Sequence, residues 1–347
     1  MVFRLNLIEN TTTPIKKRGK MKRKNYEKII QNIENHDNIF IFHHIRPDGD
    51  CLGAQQGFGY AIAKRFPKKK VFFIGDNENI FNFLNFHFDN ENLIQDEFFQ
   101  NSLAITVDTA DIKRIKKLDF FLNSNFKTRI KIDHHPDIFE EIYNEKWVDP
   151  TFSAASEMIG YLLMEENWEI NSEISKFIYL GILTDSGRFL FPSTTSRTFQ
   201  VAAFLMKFNF DFAKLNWFLS NRTEQEVAFY AEVLANYKKK DKVLWYFVSK
   251  EIQNKFKLRN DQLSAVNILA NIGDARIWLF LIEMENGIRV RIRSNGPKVN
   301  KIASEYGGGG HEYAAGINLE KSEKTKEISQ EIIEKLVIQV KEFEQNE

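Results

Sequence analysis

A chain of 347 residues is long enough for two ordinary domains, each with its own core. Hydrophobic residues make up 43% and charged residues 27%, which excludes a disordered or fibrous chain. Lys plus Arg number 48 against 47 Asp plus Glu, which excludes the broad basic field that grips long duplex DNA and leaves room for a local patch suited to a short nucleic acid or a nucleotide.

The N-terminal stretch is basic, with Lys16, Lys17, Arg18, Lys20, Lys22, Arg23 and Lys24, and it lacks the apolar core of a signal peptide. Residues 1–20 read as a solvated extension, and Met21 is an alternative start because the folding pattern begins just after it. A helix is expected over 26–33. The apolar run 38–42 is a buried strand ending at His43-His44-Ile45-Arg46-Pro47-Asp48-Gly49-Asp50. Pro47 and Gly49 read as breakers of regular structure, so a loop is expected there and a helix over 53–66. Strands over 71–74 and 103–107 follow, the second ending at Asp108, and the Asn- and Phe-rich stretch 77–100 lies between them. A fourth strand ends at Asp133-His134-His135, closed by Pro136. Helices over 153–164, 172–183 and 195–206 complete this half, the second running into the turn Thr184-Asp185-Ser186-Gly187. Alternating strands and helices predict an α/β, doubly wound parallel sheet with a ligand site at the carboxyl ends of its strands.

A polar helical stretch over 224–240 reads as a connector. A second pattern follows: strand 243–248, helix 261–270, strands 276–282 and 288–293, helix 299–305, then Gly307 to Gly310 with His311. A closing helix carries Ile328, Ile332, Leu336, Val340 and Phe343 on one face. The single cysteine, Cys51, permits no disulfide within the chain and suits a reducing, cytoplasmic setting; it reads as a small helix-start residue rather than a ligand. No run of 18 apolar residues marks a membrane span.

His44, Asp48, Asp50, Asp108, His134, His135 and Asp185 all fall at strand ends or turns of one domain. Any one of them alone would pass for a cap or a satisfied core residue. Together they form an oxygen-rich donor set with a minority of imidazole, suited to Mn²⁺ or Mg²⁺ and large enough for two ions acting on a phosphoester. In the second half, the glycine run would let backbone N–H groups approach an anion, with His311 beside it. Arg289, Arg291 and Arg293 lie on one strand face, with Arg293 best placed for a phosphate.

These residues resemble the DHH/DHHA1 phosphoesterases. The matching pieces are His44-Ile45-Arg46-Pro47-Asp48-Gly49-Asp50, Val107-Asp108-Thr109-Ala110-Asp111, Asp133-His134-His135 and the segment from Gly181 to Phe189. The fifth piece is Arg293-Ser294-Asn295 with Gly307 to His311 and Ala314-Ala315-Gly316. The size resembles the branch that includes bacterial nano-RNases, also described as pAp phosphatases. The resemblance implies a DHH catalytic domain over 21–222, a helical connector over 223–240 and a smaller α/β DHHA1 substrate-binding domain over 241–347, with the active site in the cleft between domains. It implies two Mn²⁺ ions, with Mg²⁺ as a substitute. One would be held by His44, Asp48, Asp108 and Asp185, the other by Asp50, Asp108, His135 and Asp185. His134 would then be the catalytic group at the scissile phosphate or attacking water, and Asp133 would orient an imidazole. Arg293, Ser294, Gly308, Gly309, Gly310 and His311 would bind substrate, with Arg188 as a further phosphate contact. Ala54 departs from the family, where serine is frequent, and touches no expected ligand.

The implied activity is hydrolysis of very short single-stranded RNA to 5′-mononucleotides, extended to removal of the 3′-phosphate of pAp. The alternatives are a phosphodiesterase for cyclic or linear dinucleotides, of the cyclic di-AMP and pApA type, and a nucleotide-sensing module without turnover. No membrane partner is expected, and self-association as a homodimer is left open.

Overall fold

Strands that are apolar at successive positions are satisfied only by burial on both faces, and the first half of the chain folds accordingly. The computed structural model describes residues 26–258 and 262–346. The basic extension over 1–20 and the alternative start at Met21 lie outside the described residues. The chain divides into two compact units, one ending at Leu219 and the other beginning at Ser220.

The first unit runs α1 (Glu27–Asn35), β1 (Asn38–Phe42), α2 (Gly49–Arg65), β2 (Lys70–Ile74), β3 (Ser102–Val107), α3 (Leu118–Asn123), β4 (Thr128–Asp133), β5 (Glu145–Val148), α4 (Ala155–Glu165), α5 (Ser172–Asp185), α6 (Ser196–Met206) and α7 (Phe212–Ser220). Its strands are all parallel, in the order β2-β1-β3-β4-β5. Strand β1 shows how the sheet is filled. Ile39 and Ile41 join a core with Phe58 and Ile62 of α2 and Phe177 of α5, while Phe40 and Phe42 join a second core with Phe121 of α3 and Phe126. Strand β3 is buried at every position. The strand order reverses between β1 and β3, and the chain leaves the carboxyl ends of such a pair in opposite directions, opening a crevice there. His44 follows β1 and Asp108 follows β3, so the topology places the candidate ligands at that crevice.

The second unit runs α8 (Glu224–Asn236), β6 (Lys238–Lys240), β7 (Val243–Val248), α9 (Lys250–Lys255), β8 (Ile277–Met284), β9 (Gly287–Ser294), α10 (Asn300–Glu305), β10 (Gly309–His311), β11 (Ala314–Glu320) and α11 (Thr325–Gln345). The sheet order is β10-β11-β9-β8-β7-β6, with only β7 and β8 parallel. Ile332, Leu336 and Val340 of α11 cover one face against Leu279, Val290 and Ile317. Phe229 and Val233 of α8 cover the other against Leu244 and Phe280. The stretch read as a connector therefore supplies core to the second unit, and its Lys238-Lys239-Lys240 tail is an edge strand rather than helix. Lysines on an edge strand discourage pairing with other chains.

The helix expected over 261–270 is instead two 3-10 turns, Gln262–Ser264 and Val266–Leu269, with Asp261 outside the described residues. The buried apolar residues there, Leu263, Val266 and Leu269, recur every third position, which is the period of the tighter helix. Among the described residues, no helix is long and apolar enough to cross a membrane.

Candidate metal centre

At the end of β1 the His44 ring is fixed by its Nδ1, which lies 2.9 Å from the Ile45 carbonyl. A carbonyl only accepts, so Nδ1 carries the proton and Nε2 is turned to the cluster. Nε2 stands 3.3 Å from Asp108 Oδ2 and 3.5 Å from Asp48 Oδ2. The helix expected over 53–66 starts four residues earlier, at Gly49, which shortens the loop after β1. Asp48 is its N-cap, with Oδ1 accepting from the N–H groups of Asp50 and Cys51 at 3.1 Å. A carboxylate at this position satisfies the orphan donors of the first turn, which offsets the breakers Pro47 and Gly49. Asp50 therefore sits on the first turn of a helix and not in a loop. Cys51 completes the cap through its sulfur, and burial pushes its thiol up to about 12.

Asp50 is fully buried, and its two oxygens accept from Ala155 N at 2.6 Å and Ser156 N at 2.8 Å, at the start of α4. In the sequence this backbone cradle is signalled by nothing more than the small-residue run Ser153-Ala154-Ala155-Ser156 at the start of the helix. Helix α5 approaches α2 closely because Gly53 and Gly181 face the gap. A Cβ at Gly53 would strike the Phe177 carbonyl, and one at Gly181 would strike Ser156 Oγ. Asp185, expected in a turn, is the last residue of α5.

Asp108 leaves β3 with φ of +52°, a left-handed conformation that a non-glycine residue adopts only when its surroundings hold it. Its N–H donates to the Ile132 carbonyl of β4 at 3.0 Å. Across from it, His134 enters the carboxylate cluster more deeply than His135, the imidazole expected as the metal ligand. His134 Nε2 lies 3.2 Å from Asp185 Oδ2, 3.3 Å from Asp108 Oδ1 and 3.7 Å from Asp50 Oδ2. His135 instead commits Nδ1 to Asp133 Oδ1 at 2.8 Å, with Asp108 Oδ1 at 3.4 Å. The two rings lie side by side, with centroids 4.6 Å apart, and His134 is the one that faces three of the carboxylates.

Three groups of donor atoms, each group within 4.8 Å, result: His44, Asp48, Cys51 and Asp108; Asp108, His134 and His135; and Asp50, His134 and Asp185. Asp108 belongs to two of them and His134 to two, while Asp185 joins Asp50 and His134 but not His44 and Asp48. The donor set fits hard divalent cations. Asp108 Oδ1 is buried without a hydrogen-bond partner, an acceptor that a cation would satisfy. The electrostatics agree. Burial and the charge of Asp108 push Asp50 up to about 7. Burial and repulsion from Asp50 and Asp48 push Asp185 well above the usual carboxylate range, despite the attraction of His134. Burial opposes ionisation of Asp108, but His134 and His44 hold it well below that range. Opposed shifts within one buried cluster are what crowded carboxylates and imidazoles produce, and such clusters are typical of functional sites.

In the second unit, Arg293 is half-buried on β9, and its Nη1 donates to the Ile292 carbonyl at 2.9 Å. The Ser294 hydroxyl donates to the Pro297 carbonyl at 2.6 Å. The glycine run differs from the expected open anion loop. Gly307 N and Gly308 N donate to the Ser304 and Ala303 carbonyls, closing α10, and Gly309, Gly310 and His311 pair as β10 with Gly316, Ala315 and Ala314. Gly307, at φ +71°, is the helix-stopping residue that this cap favours. Gly308 has a different constraint, since a Cβ there would strike the Gly316 carbonyl of β11. Gly308→Ala is expected to cost about 1–3 kcal/mol through displacement of β10, read as a lower thermal midpoint than that of Gly307→Asn. Arg188, in the first unit, donates Nη2 to the Leu219 carbonyl at 3.0 Å.

The model of the DHH family, N-terminal domain, matches residues 38–182, and that of the DHHA1 domain matches 219–337. The chain is 36% identical over 318 residues to the bifunctional oligoribonuclease and PAP phosphatase NrnA of Mycoplasma genitalium, covering 91% of this chain and 99% of the relative. It is 33% identical over 297 residues to the protein of the same name from Bacillus subtilis, covering 84% and 92%. An exopolyphosphatase-related protein from Bacteroides fragilis shares the fold with a TM-score of 0.79 and 24% identity, over 90% of this chain and 96% of that one.

Proposed function

Because this chain belongs to the DHH family and carries its DHHA1 domain, we propose that it is a metal-dependent phosphoesterase that hydrolyses very short RNA to 5′-mononucleotides and removes the 3′-phosphate of pAp. The observation that carries this reading is the convergence of His44, Asp48, Asp50, Asp108, His134 and Asp185 on the crevice beside β1 and β3. When bound, two divalent ions such as Mn²⁺, or Mg²⁺ in their place, act as Lewis acids toward a phosphoryl oxygen and make water acidic enough to attack at neutral pH.

In this reading His44, Asp48 and Asp108 would hold one ion, and Asp50, Asp108, His134 and Asp185 would hold the other, so that Asp108 would serve both. The backbone cradle of Ala155 and Ser156 keeps Asp50 aimed, and the Ile45 carbonyl keeps the His44 tautomer fixed. His135 serves the substrate. Its Nδ1–H is committed to Asp133, so Nε2 is the nitrogen that meets a phosphoryl oxygen or a leaving oxygen. Arg293 binds a substrate phosphate, with the backbone of Gly309, Gly310 and His311 beside it. The near balance of basic and acidic residues fits a substrate held by a few phosphate contacts.

A panel of RNA two to five nucleotides long, with pAp and a cyclic dinucleotide, tests the assignment. Mononucleotide release from the short RNA is expected to exceed turnover of the cyclic dinucleotide, and release from the cyclic compound alone would reject it. Arg293→Ala is expected to raise KM about 10–100-fold, the loss of one charge-assisted contact of about 1.5–3 kcal/mol, with kcat much less affected.

A further inference from the structure

Lys131 sits in β4, two residues before the Asp133-His134-His135 triplet, with no exposed surface. A buried ammonium is tolerated only when charge and hydrogen bonds meet it on several sides. Here Nζ donates to the Ala110 carbonyl at 2.8 Å, stands 3.2 Å from Glu140 Oε2 and 3.6 Å from Asp133 Oδ2, and lies 5.7 Å from the centre of the Tyr143 ring. The other oxygen of Glu140 accepts from Ile112 N at 2.6 Å. One ammonium therefore ties together three segments: the triplet strand, the turn after β3, and the loop after the triplet.

Two of those ties reach the metal centre. Ala110 and Ile112 belong to the turn that holds Asp108 at φ +52°, a conformation that relaxes unless the turn is pinned. Asp133 offers Oδ1 to both Nδ1 and the backbone N–H of His135, at 2.8 and 3.2 Å. Its buried Oδ2 has no hydrogen-bond partner among the described residues and faces the Lys131 charge at 3.6 Å. Stability alone does not account for such an arrangement, since replacing a buried ion pair by apolar residues of similar volume is often neutral or stabilising. What an apolar residue would not supply is a fixed geometry among three polar segments.

We propose that Lys131 is a positioning residue for the reaction. With Glu140 it locks the Asp108 turn against the triplet strand, and through Asp133 it fixes the ring of His135. It touches neither substrate nor metal. This inference rests on the metal-dependent phosphoesterase reading above.

The test compares Lys131→Met and Glu140→Gln with the unmodified full-length protein, reading Mn²⁺ binding without substrate and, separately, kcat and KM on an RNA trinucleotide. For Lys131→Met, kcat is expected to fall about 10–100-fold with KM little changed, and the Mn²⁺ concentration for half-saturation to rise by a similar factor, as for other residues that orient metal ligands. Glu140→Gln keeps the ammonium behind Asp133 and loosens only the Asp108 turn, so it is expected to weaken Mn²⁺ binding with a smaller loss of kcat. A Lys131→Met protein with native near-UV dichroism, normal Mn²⁺ binding and normal kcat would overturn the proposal. If that variant does not fold, Glu140→Gln decides alone, and unchanged Mn²⁺ affinity there overturns it. An unmodified protein that binds Mn²⁺ but releases no nucleotide would instead reject the phosphoesterase reading, and the shift in Mn²⁺ affinity would still judge Lys131.

Discussion

Replacing Asp108 by alanine is expected to lower kcat by about a thousand-fold or more and to remove most Mn²⁺ binding, with the fold intact. The size follows from the position of the side chain. It is shared by the group containing His44 and Asp48 and by the group containing His134 and His135, so its loss weakens both proposed ion sites at once. Several kcal/mol of transition-state charge stabilisation depend on those ions, and each 1.36 kcal/mol is about tenfold in rate. The variant should fold, because β3 stays buried at all positions and the Asp108 N–H bond to Ile132 is made by the backbone. Relief of the left-handed strain helps rather than harms: Asp108→Gly, which accepts φ of +52° freely, should be at least as stable as Asp108→Ala and equally inactive. Metal content measured by mass spectrometry, beside a thermal melt, reads both effects. Near-normal turnover by either variant would remove Asp108 from the centre of the mechanism.

The second large effect separates neighbours. His134→Ala is expected to lose metal from the Asp50 and Asp185 side and activity with it, by about a thousand-fold. His135→Ala is expected to keep its metal content and lose about 10²–10⁴ in kcat, the range for a positioned proton-transfer group. The contrast comes from the distances: His134 Nε2 is within 3.2–3.7 Å of three carboxylates, whereas His135 is anchored by Nδ1 to Asp133. If His135→Ala were the variant that loses metal while His134→Ala keeps it, the ordering implied by the family resemblance would stand and the two imidazoles would exchange roles.

That ordering shows where sequence legibility stops. The ends of β1, β3 and β4 could be read because a buried parallel strand is an apolar run, and a run that halts at an acid or imidazole announces itself. Which of two adjacent histidines enters the cluster could not, since side-chain alternation no longer fixes direction once a strand gives way to a turn. The Asp48-Gly49 step looked like a loop because Pro47 and Gly49 are breakers, whereas the capping carboxylate lets α2 start there. Thr184-Asp185-Ser186-Gly187 carries turn chemistry and yet includes the last turn of α5. The glycines were legible as a backbone feature but not as helix cap and strand, since glycine suits both a nest and a helix stop. Lys131 gave no signal at all. A lone lysine within an apolar strand run reads as a solvent-reaching side chain, and only the fold shows Glu140, Asp133 and the Ala110 carbonyl around it.

The most direct measurement is the Mn²⁺ dependence of mononucleotide release from an RNA trinucleotide by the full-length protein. Release is expected to rise with Mn²⁺, to stop on chelation and return on re-addition, and to be absent from Asp108→Ala at every Mn²⁺ concentration. No release by Mn²⁺-loaded protein, or release that survives both chelation and the loss of Asp108, would contradict a two-ion phosphoesterase centre at the ends of β1 and β3.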